Sequence, residues 1–206
     1  MKPTSPFPLL TLTLAAAVHG DDTPRQEGPF TLRITDSINA ALNGGALASC
    51  HAGAAIEALC YPTGSDTARA TGDASAQYYF NTTAGAASGI LIWNLPSGGS
   101  GTAVTPSTVR LEARAESELA TALIYPGAAG ATAFEFDAAG KLLVRAPYDE
   151  ARFGVFERPA PAFVPLYRWE ACWNFAGGYY YPTVNWALGA GRPRNPTCVS
   201  VNITRV

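Results

Sequence analysis

One stretch decides the fold class: residues 167–175, which read YRWEACWNF. The odd positions carry Tyr, Trp, Ala, Trp and Phe, whereas the even positions carry Arg, Glu, Cys and Asn. A repeat of two residues is typical of a β-strand that places one face on a core and displays the other. We therefore predict a half-buried antiparallel strand here, with Trp169 and Trp173 on its core face.

The same alternation continues through the two segments that follow this strand. In residues 179–188 the apolar set includes Tyr180, Val184 and Trp186, and in residues 199–203 every second position is Val or Ile. Antiparallel strands with these patterns bury one face together. We predict a core organised around the tryptophans of the first two strands, which are Trp169, Trp173 and Trp186.

Shorter strands are predicted through the rest of the chain, because no segment longer than about ten residues has helical periodicity. The fold class that this pattern predicts is all-β: a disulfide-bonded, single-domain antiparallel β-sandwich, jelly-roll-like, at residues 30–206. A Gly/Ser-rich loop is expected at 96–107. The candidate strands are residues 30–34, 77–81, 89–95, 108–113, 119–125, 132–137 and 141–145.

The N-terminus has the composition of a secretion signal. Lys2 precedes an apolar run at residues 7–18, and small or tolerated residues precede a cleavage point after Gly20. We therefore predict a signal peptide at residues 1–20, a flexible arm at 21–29 and an extracellular location. No later stretch approaches about twenty apolar residues, so no membrane span is expected in the mature protein.

Four cysteines in a secreted chain favour two disulfides. Sequence proximity favours Cys50–Cys60 and Cys172–Cys198, and the first pair requires its segment to turn back on itself, because a helix would hold the two cysteines too far apart. The second pair cannot form across a simple meander of three strands. Either residues 179–188 form an edge strand with the third strand beside the first, or Cys198 lies in the preceding loop and folds back.

A cysteine-flanked segment, CHAGAAIEALC at residues 50–60, carries a resemblance to a known family. Further matching residues are LNG at 42–44, LYRW at 166–169, WALG at 186–189 and NPTC at 195–198. In these residues the chain resembles a family of small, secreted, uncharacterised fungal (ascomycete) proteins. The resemblance spans essentially the whole mature chain and implies an extracellular fungal protein, but it supplies neither an activity nor catalytic residues.

Charge is sparse and slightly acidic. The formal net charge is -2 and the chain has only two lysines, without a basic cluster, so nucleic acid is not an expected partner. Cysteines and histidines lack the short spacing of metal ligands, and we expect neither a metal nor a cofactor. Two acceptors for N-glycosylation fit the secretory compartment: Asn81 in Asn-Thr-Thr and Asn202 in Asn-Ile-Thr.

Candidate catalytic side chains are few. His51 is the only histidine of the mature chain and no Gly-X-Ser-X-Gly motif accompanies it, so we expect His51 to be structural. Glu135 and Glu170 stand beside aromatic residues, yet alternation assigns both to the displayed face in solvent. A glycosidase needs two carboxylates across a cleft. A carbohydrate-active enzyme that uses Glu170 or Glu135 is therefore the alternative function.

The displayed face of the C-terminal sheet is better suited to binding. It carries tyrosine rings among amide and charged groups, an arrangement that fits sugar or peptide contact. We therefore expect a non-catalytic cell-surface, wall-associated or host-facing binding protein, whose partner is a cell-wall polysaccharide or a host surface component. Its candidate ligand-binding residues are Asn174, Tyr179, Tyr181 and Asn185.

Overall fold

The computed structural model describes residues 23–63, 74–97, 103–148, 163–176 and 178–206. The predicted signal peptide lies outside them. The described residues form fourteen β-strands, two short 3₁₀ helices at Ala40–Leu42 and Ala74–Ala76, and no α-helix. The strands are β1 Pro24–Phe30, β2 Leu32–Thr35, β3 Ala48–Gly53, β4 Ile56–Cys60, β5 Tyr78–Thr83, β6 Gly89–Ser97, β7 Ala103–Ala113, β8 Leu119–Pro126, β9 Ala133–Phe136, β10 Leu142–Ala146, β11 Val164–Leu166, β12 Trp169–Ala176, β13 Tyr179–Ala187 and β14 Val199–Arg205.

Hydrogen bonds join the strands into one antiparallel sheet that folds over its own core. The order is β11-β10-β9-β6-β7-β8-β4-β13-β12-β14-β2; β5 pairs with β6 and with β1, β3 pairs with β4, and β8 also pairs with β13. A bridge between Lys141 and Thr204 brings the chain just before β10 back to β14, which lies far from β10 in that order. The predicted all-β, antiparallel, single-domain fold is confirmed.

Trp169 marks the place where the two sides of the folded sheet meet. It is fully buried, stacks on Phe134 of β9 with ring centroids 6.0 Å apart, and meets Trp186 of β13 edge-on at 5.1 Å. Its Nε1 donates a hydrogen bond to the carbonyl of Leu142 in β10 at 2.8 Å. Because β9 and β10 are distant from β12 along the sheet, these contacts join two facing layers, as in a sandwich. The predicted core positions of Trp169 and Trp186 are confirmed.

The N-terminal segment is a paired strand along most of its length. Pro24–Phe30 forms β1 and pairs with β5, and Arg205 Nη1 donates to Glu27 Oε2 at 2.8 Å. The flexible arm predicted at 21–29 is therefore wrong from residue 24 onward. The polar composition concealed this strand, because it is held by backbone pairing and polar cross-strand contacts rather than by apolar burial. The loop predicted at 96–107 is also shorter, since β6 and β7 extend into it.

Both predicted disulfides are present. Cys50–Cys60 crosses the β3–β4 hairpin with its Cα atoms 5.9 Å apart, and Cys172–Cys198 has a Cα–Cα distance of 4.2 Å. Strand β14 pairs with β12, as the first of the two alternatives required, and Cys198 lies in the loop just before β14, as the second required. The edge position of the first alternative is wrong for β13, because β13 also pairs with β8. With all four cysteines paired, the chain is compatible with an extracellular protein.

Candidate functional site

The β12–β13 hairpin is buried at one end and exposed at the other. Trp169 and Trp186 form one cross-strand pair, and four residues further along β12, Trp173 pairs with Pro182. Trp169 is fully buried, whereas 45% of Trp173 is exposed. The predicted core position of Trp173 is therefore wrong. The core cluster that packs around Trp169 ends before it reaches Trp173.

Large aromatic side chains crowd the exposed end of this hairpin. Phe175 and Tyr180 face each other across the strands with ring centroids 5.3 Å apart, and the rings of Tyr179 and Tyr181 are 6.3 Å apart on the opposite face. Tyr179 is exposed and Tyr181 is half-buried; Tyr180 is 72% exposed, so its predicted core position is also wrong. We call Trp173, Phe175, Tyr179 and Tyr180 the aromatic tip.

The two asparagines predicted to bind ligand are hydrogen-bonded to each other. Asn174 Nδ2 donates to Thr121 Oγ1 at 2.6 Å and to Asn185 Oδ1 at 3.0 Å. Asn185 is fully buried, and its Nδ2 donates to the carbonyl of Thr183 at 2.9 Å. The prediction that Asn185 is displayed is wrong, because an amide whose hydrogen bonds are satisfied within the protein can be buried. This network links β8, β12 and β13. Ligand binding by these asparagines stays a prediction.

The loop before β14 holds the backbone of Trp173 in place. Trp173 N–H donates to Thr197 Oγ1 at 3.0 Å, and Asn195 Nδ2 donates to the Trp173 carbonyl at 2.9 Å. These side chains replace a neighbouring strand, since β14 pairs with β12 only nearer its start. The Cys172–Cys198 disulfide ties the same loop to the adjacent residue. The exposed indole therefore stands on a fixed backbone.

A groove of about 400 Å³ opens beside Trp173. Trp173 and Tyr61 line it together with the polar side chains of Asn39 and Thr63, and none of the described residues around it is charged. Burial raises the pKa of the Tyr61 phenol, which is therefore neutral at physiological pH. Sequence reasoning missed this groove because its residues come from distant segments without a shared motif.

Glu170 lines a second groove, of about 350 Å³. The prediction that Glu170 is displayed in solvent is wrong: it pairs across the strands with Ser200 and is buried. Burial raises the pKa of the Glu170 carboxyl, while the hydrogen bond with Ser200 and the charge of Arg192 act in the opposite direction. Among the described residues that line this groove, Glu170 is the single carboxylate.

Glu135 is buried in an ion pair. Arg145 Nη2 lies 2.7 Å from Glu135 Oε2, and Ser88 Oγ donates to Glu135 Oε1 at 2.6 Å. The hydrogen bond from Arg145 lowers the pKa of Glu135 in spite of its burial. Its predicted exposure is wrong, because β9 is covered on both faces: Phe134 lies in the core and Glu135 lies against Arg145. A carboxylate held ionised in this way is poorly suited to act as a general acid.

His51 and Glu57 are cross-strand neighbours in the β3–β4 hairpin. The His51 side chain is exposed, with Nδ1 3.6 Å from Glu57 Oε1. Burial raises the pKa of Glu57, and the contact with His51 lowers it by less. The structural role of His51 stays a prediction. Within the described part of the chain, no three His, Cys, Asp or Glu side chains are grouped to hold a metal ion.

The two predicted glycosylation sites are half-buried on strands. Asn81 of β5 accepts a hydrogen bond from Gln26 Nε2 at 2.7 Å. Asn202 of β14 donates through Nδ2 to Asp36 Oδ2 at 2.9 Å. Their use as acceptors stays a prediction.

Fold and surface together define an all-β, disulfide-bonded domain with an exposed aromatic hairpin end. The chain belongs to a family described as a domain of unknown function (DUF7907), whose model matches residues 27–206. No curated protein and no solved structure matches the chain. In the parts of the chain that the structure describes, no helix is long and apolar enough to cross a membrane.

Proposed function

We propose that this chain is a secreted fungal binding protein without catalytic activity, which contacts its partner through the aromatic tip. The partner is a cell-wall polysaccharide or a host surface component. The observation that supports this function is the exposure of large aromatic side chains at one end of a hairpin whose other end buries Trp169 and Trp186.

The composition of the aromatic tip matches that of binding surfaces. Contiguous exposed apolar patches mark interaction sites on soluble proteins, and Trp and Tyr are enriched among the residues that contribute most to binding. Their rings offer a large contact area with only two rotatable bonds, so little conformational entropy is lost on binding. The fixed backbone of Trp173 reduces that loss further.

A secreted form is supported by the disulfides and by the sequence signals for export. Disulfides persist in oxidising compartments. The proposed secreted form has lost a signal peptide at residues 1–20 and carries glycans on Asn81 and Asn202. N-terminal sequencing of the protein from a fungal culture medium should begin near Asp21, and treatment with an N-glycosidase should lower its mass. A secreted chain that retains Met1 would contradict the proposed processing.

Co-sedimentation with insoluble cell-wall material tests the binding function. We expect the wild type to sediment and the variant Phe175→Ser/Tyr180→Ser to stay in solution, because two rings of the aromatic tip are lost. The matched control is Val104→Ser/Phe163→Ser, which removes exposed apolar side chains outside the hairpin and should sediment like the wild type. The same assay with intact host cells covers a host surface component as the partner. If the tip variant sediments as well as the control both with wall material and with these cells, the proposed function is wrong.

The alternative function, a carbohydrate-active enzyme, has one observation in its favour: the raised pKa of Glu170 beside a groove. Groups with shifted pKa values are frequent in active sites. A two-carboxylate mechanism needs a second acid within reach, and the described residues lining the groove offer none besides Glu170. Hydrolysis of a polysaccharide panel that disappears in Glu170→Gln, with the melting temperature unchanged, would support the enzyme.

A further inference from the structure

We propose that the ligand is a neutral polysaccharide chain, which lies along the Trp173 face of the hairpin and enters the groove beside Tyr61. This inference rests on the proposed function and specifies the ligand class and the face that binds it. It differs from the hypothesis drawn from the sequence, which assigned the ligand to the opposite face with Tyr179 and Asn185.

A row of rings follows this face of the hairpin. Trp173 and Phe175 are two residues apart on one strand, which separates them by roughly 6.6 Å, and Tyr180 stands across from Phe175 with the ring centroids 5.3 Å apart. The C–H faces of sugar rings pack flat against aromatic rings. Trp173 and Phe175 are spaced along one strand, and Tyr180 meets Phe175 edge-to-face from the neighbouring strand. This face therefore offers more than one stacking position, which suits a repeating chain better than a single small molecule.

The groove at the end of this row supplies polar groups for hydroxyl-rich ligands. Asn39 uses its Oδ1 to accept from the Ala41 N–H, so its amide N–H groups are left for a ligand. Thr63 is exposed beside it. The Tyr61 phenol, which stays neutral, adds a donor and acceptor at a largely apolar wall. A few convergent polar groups in an otherwise apolar groove orient a ligand and give specificity.

The charge of the surface favours a neutral ligand. No Asp, Glu, Lys, Arg or His occurs at residues 171–191, and the described residues that line the groove are all uncharged. Arg114 brings a single positive charge to the same end of the hairpin, where its Nη1 donates to the Phe175 carbonyl at 3.3 Å. Attachment to anionic lipid headgroups relies on clustered Lys and Arg, and the chain has a net charge of -2.

Binding to purified glycans and to vesicles tests the ligand class. The glycans are laminarin, mannan and chitin oligosaccharides, with polygalacturonate as the charged counterpart; the vesicles contain phosphatidylcholine with a minority of phosphatidylserine. We expect titration calorimetry to detect binding to at least one neutral glycan, and no binding to polygalacturonate or to vesicles.

Single variants on the two faces of the hairpin test the binding face. Trp173→Ala should weaken binding to that glycan about 30-fold, the size expected for a central aromatic residue of a binding site. The affinity of Trp173→Phe for the glycan should lie between the affinities of Trp173→Ala and the wild type. Tyr179→Ala, on the opposite face of the aromatic tip, should weaken binding by less than Trp173→Ala does, and Val104→Ala, an exposed position outside the hairpin, should leave the affinity unchanged.

The outcomes separate this inference from the proposed function. If Phe175→Ser/Tyr180→Ser loses wall binding while no neutral glycan binds the wild type, the ligand class is wrong and the proposed function stands. Binding to vesicles alone overturns the ligand class in favour of a membrane surface. A loss of glycan binding in Tyr179→Ala that equals the loss in Trp173→Ala overturns the choice of face. If the tip variant retains all binding to wall material and to intact cell surfaces, both proposals fail together.

Discussion

The two ends of the β12–β13 hairpin share one sequence pattern and occupy opposite environments. At the inner end, Trp169 and Trp186 pair across the strands and lie in the core; at the outer end, Phe175 and Tyr180 pair in the same register and lie in solvent. Alternation therefore specifies the face to which a side chain points. Burial requires in addition an opposing layer, which Phe134 and Leu142 provide for Trp169 at the inner end.

The largest expected effect distinguishes the two tryptophans of β12. Trp169→Ala should lower the free energy of unfolding by about 3–5 kcal/mol, a large share of the roughly 5–15 kcal/mol typical of a domain. Trp173→Ala should lower it by less than about 1 kcal/mol, because half of its side chain is already in solvent. Urea unfolding of both variants measures the difference. Equal losses would mean that the outer end is as buried as the inner end.

The disulfide beside Trp173 should contribute more stability than the one in the β3–β4 hairpin. Cys172–Cys198 closes a loop with a sequence separation of 26 and Cys50–Cys60 one of 10. On the chain-entropy account, loss of the first costs about 3–4 kcal/mol and loss of the second about 1 kcal/mol less. Unfolding of the two double Cys→Ala variants measures both costs. A larger loss for the shorter loop would contradict this order.

Glu135 and Glu170 show the same limit of sequence alternation, because the pattern predicted both side chains in solvent and both are buried. The Glu135 pKa is lowered below its ordinary value of 4.5 by Arg145, so its stabilising effect is present above pH 4.5 and is lost as the pH falls through the lowered pKa. Stability of Glu135→Gln should decline less in that acid range than stability of the wild type. Thermal unfolding from pH 3 to pH 5 measures this, and parallel profiles would contradict the ion pair.

Glu170 should have the opposite effect on the pH dependence. Burial raises its pKa above 4.5, so the folded state favours the protonated carboxyl and stability declines as the pH rises from 4.5 through the raised pKa. Glu170→Gln, which keeps the size of the side chain, should remove that decline. Thermal unfolding between pH 4 and pH 8 measures this smaller effect. A decline that persists unchanged in Glu170→Gln would show that another group causes it.

Local pattern was sufficient for the strands with clear apolar alternation and for the disulfides, but not for the polar strand β1. Strand candidates such as 119–125 correspond to described strands, because period-two alternation is a property of the chain itself. The cysteine pairs were predictable because short separations limit the geometry. Burial of Glu135 and Asn185 was not predictable, because it depends on partners such as Arg145 and Thr183 whose positions follow from the tertiary fold.

One local signal for the aromatic tip was present in the sequence. Tyr179, Tyr180 and Tyr181 place rings on both faces of a strand directly after a Gly-Gly turn. A strand with one core face and one displayed face does not need rings on both, so this run indicates a hairpin end that extends beyond the core. The groove beside Trp173 had no such signal, because Asn39, Tyr61 and Thr197 meet only in the folded chain.

Selective oxidation of the tryptophans tests the central claim most directly. Of the four tryptophans, Trp93, Trp169 and Trp186 are buried and Trp173 is exposed. The native protein is treated with limiting N-bromosuccinimide, alone and after saturation with the wall polysaccharide that binds it, and oxidised residues are located by peptide mass spectrometry. We predict that Trp173 is oxidised first and that the polysaccharide protects it. Oxidation of Trp169 at the same rate, or oxidation of Trp173 that bound polysaccharide leaves unchanged, would contradict an exposed binding surface at this end of the hairpin.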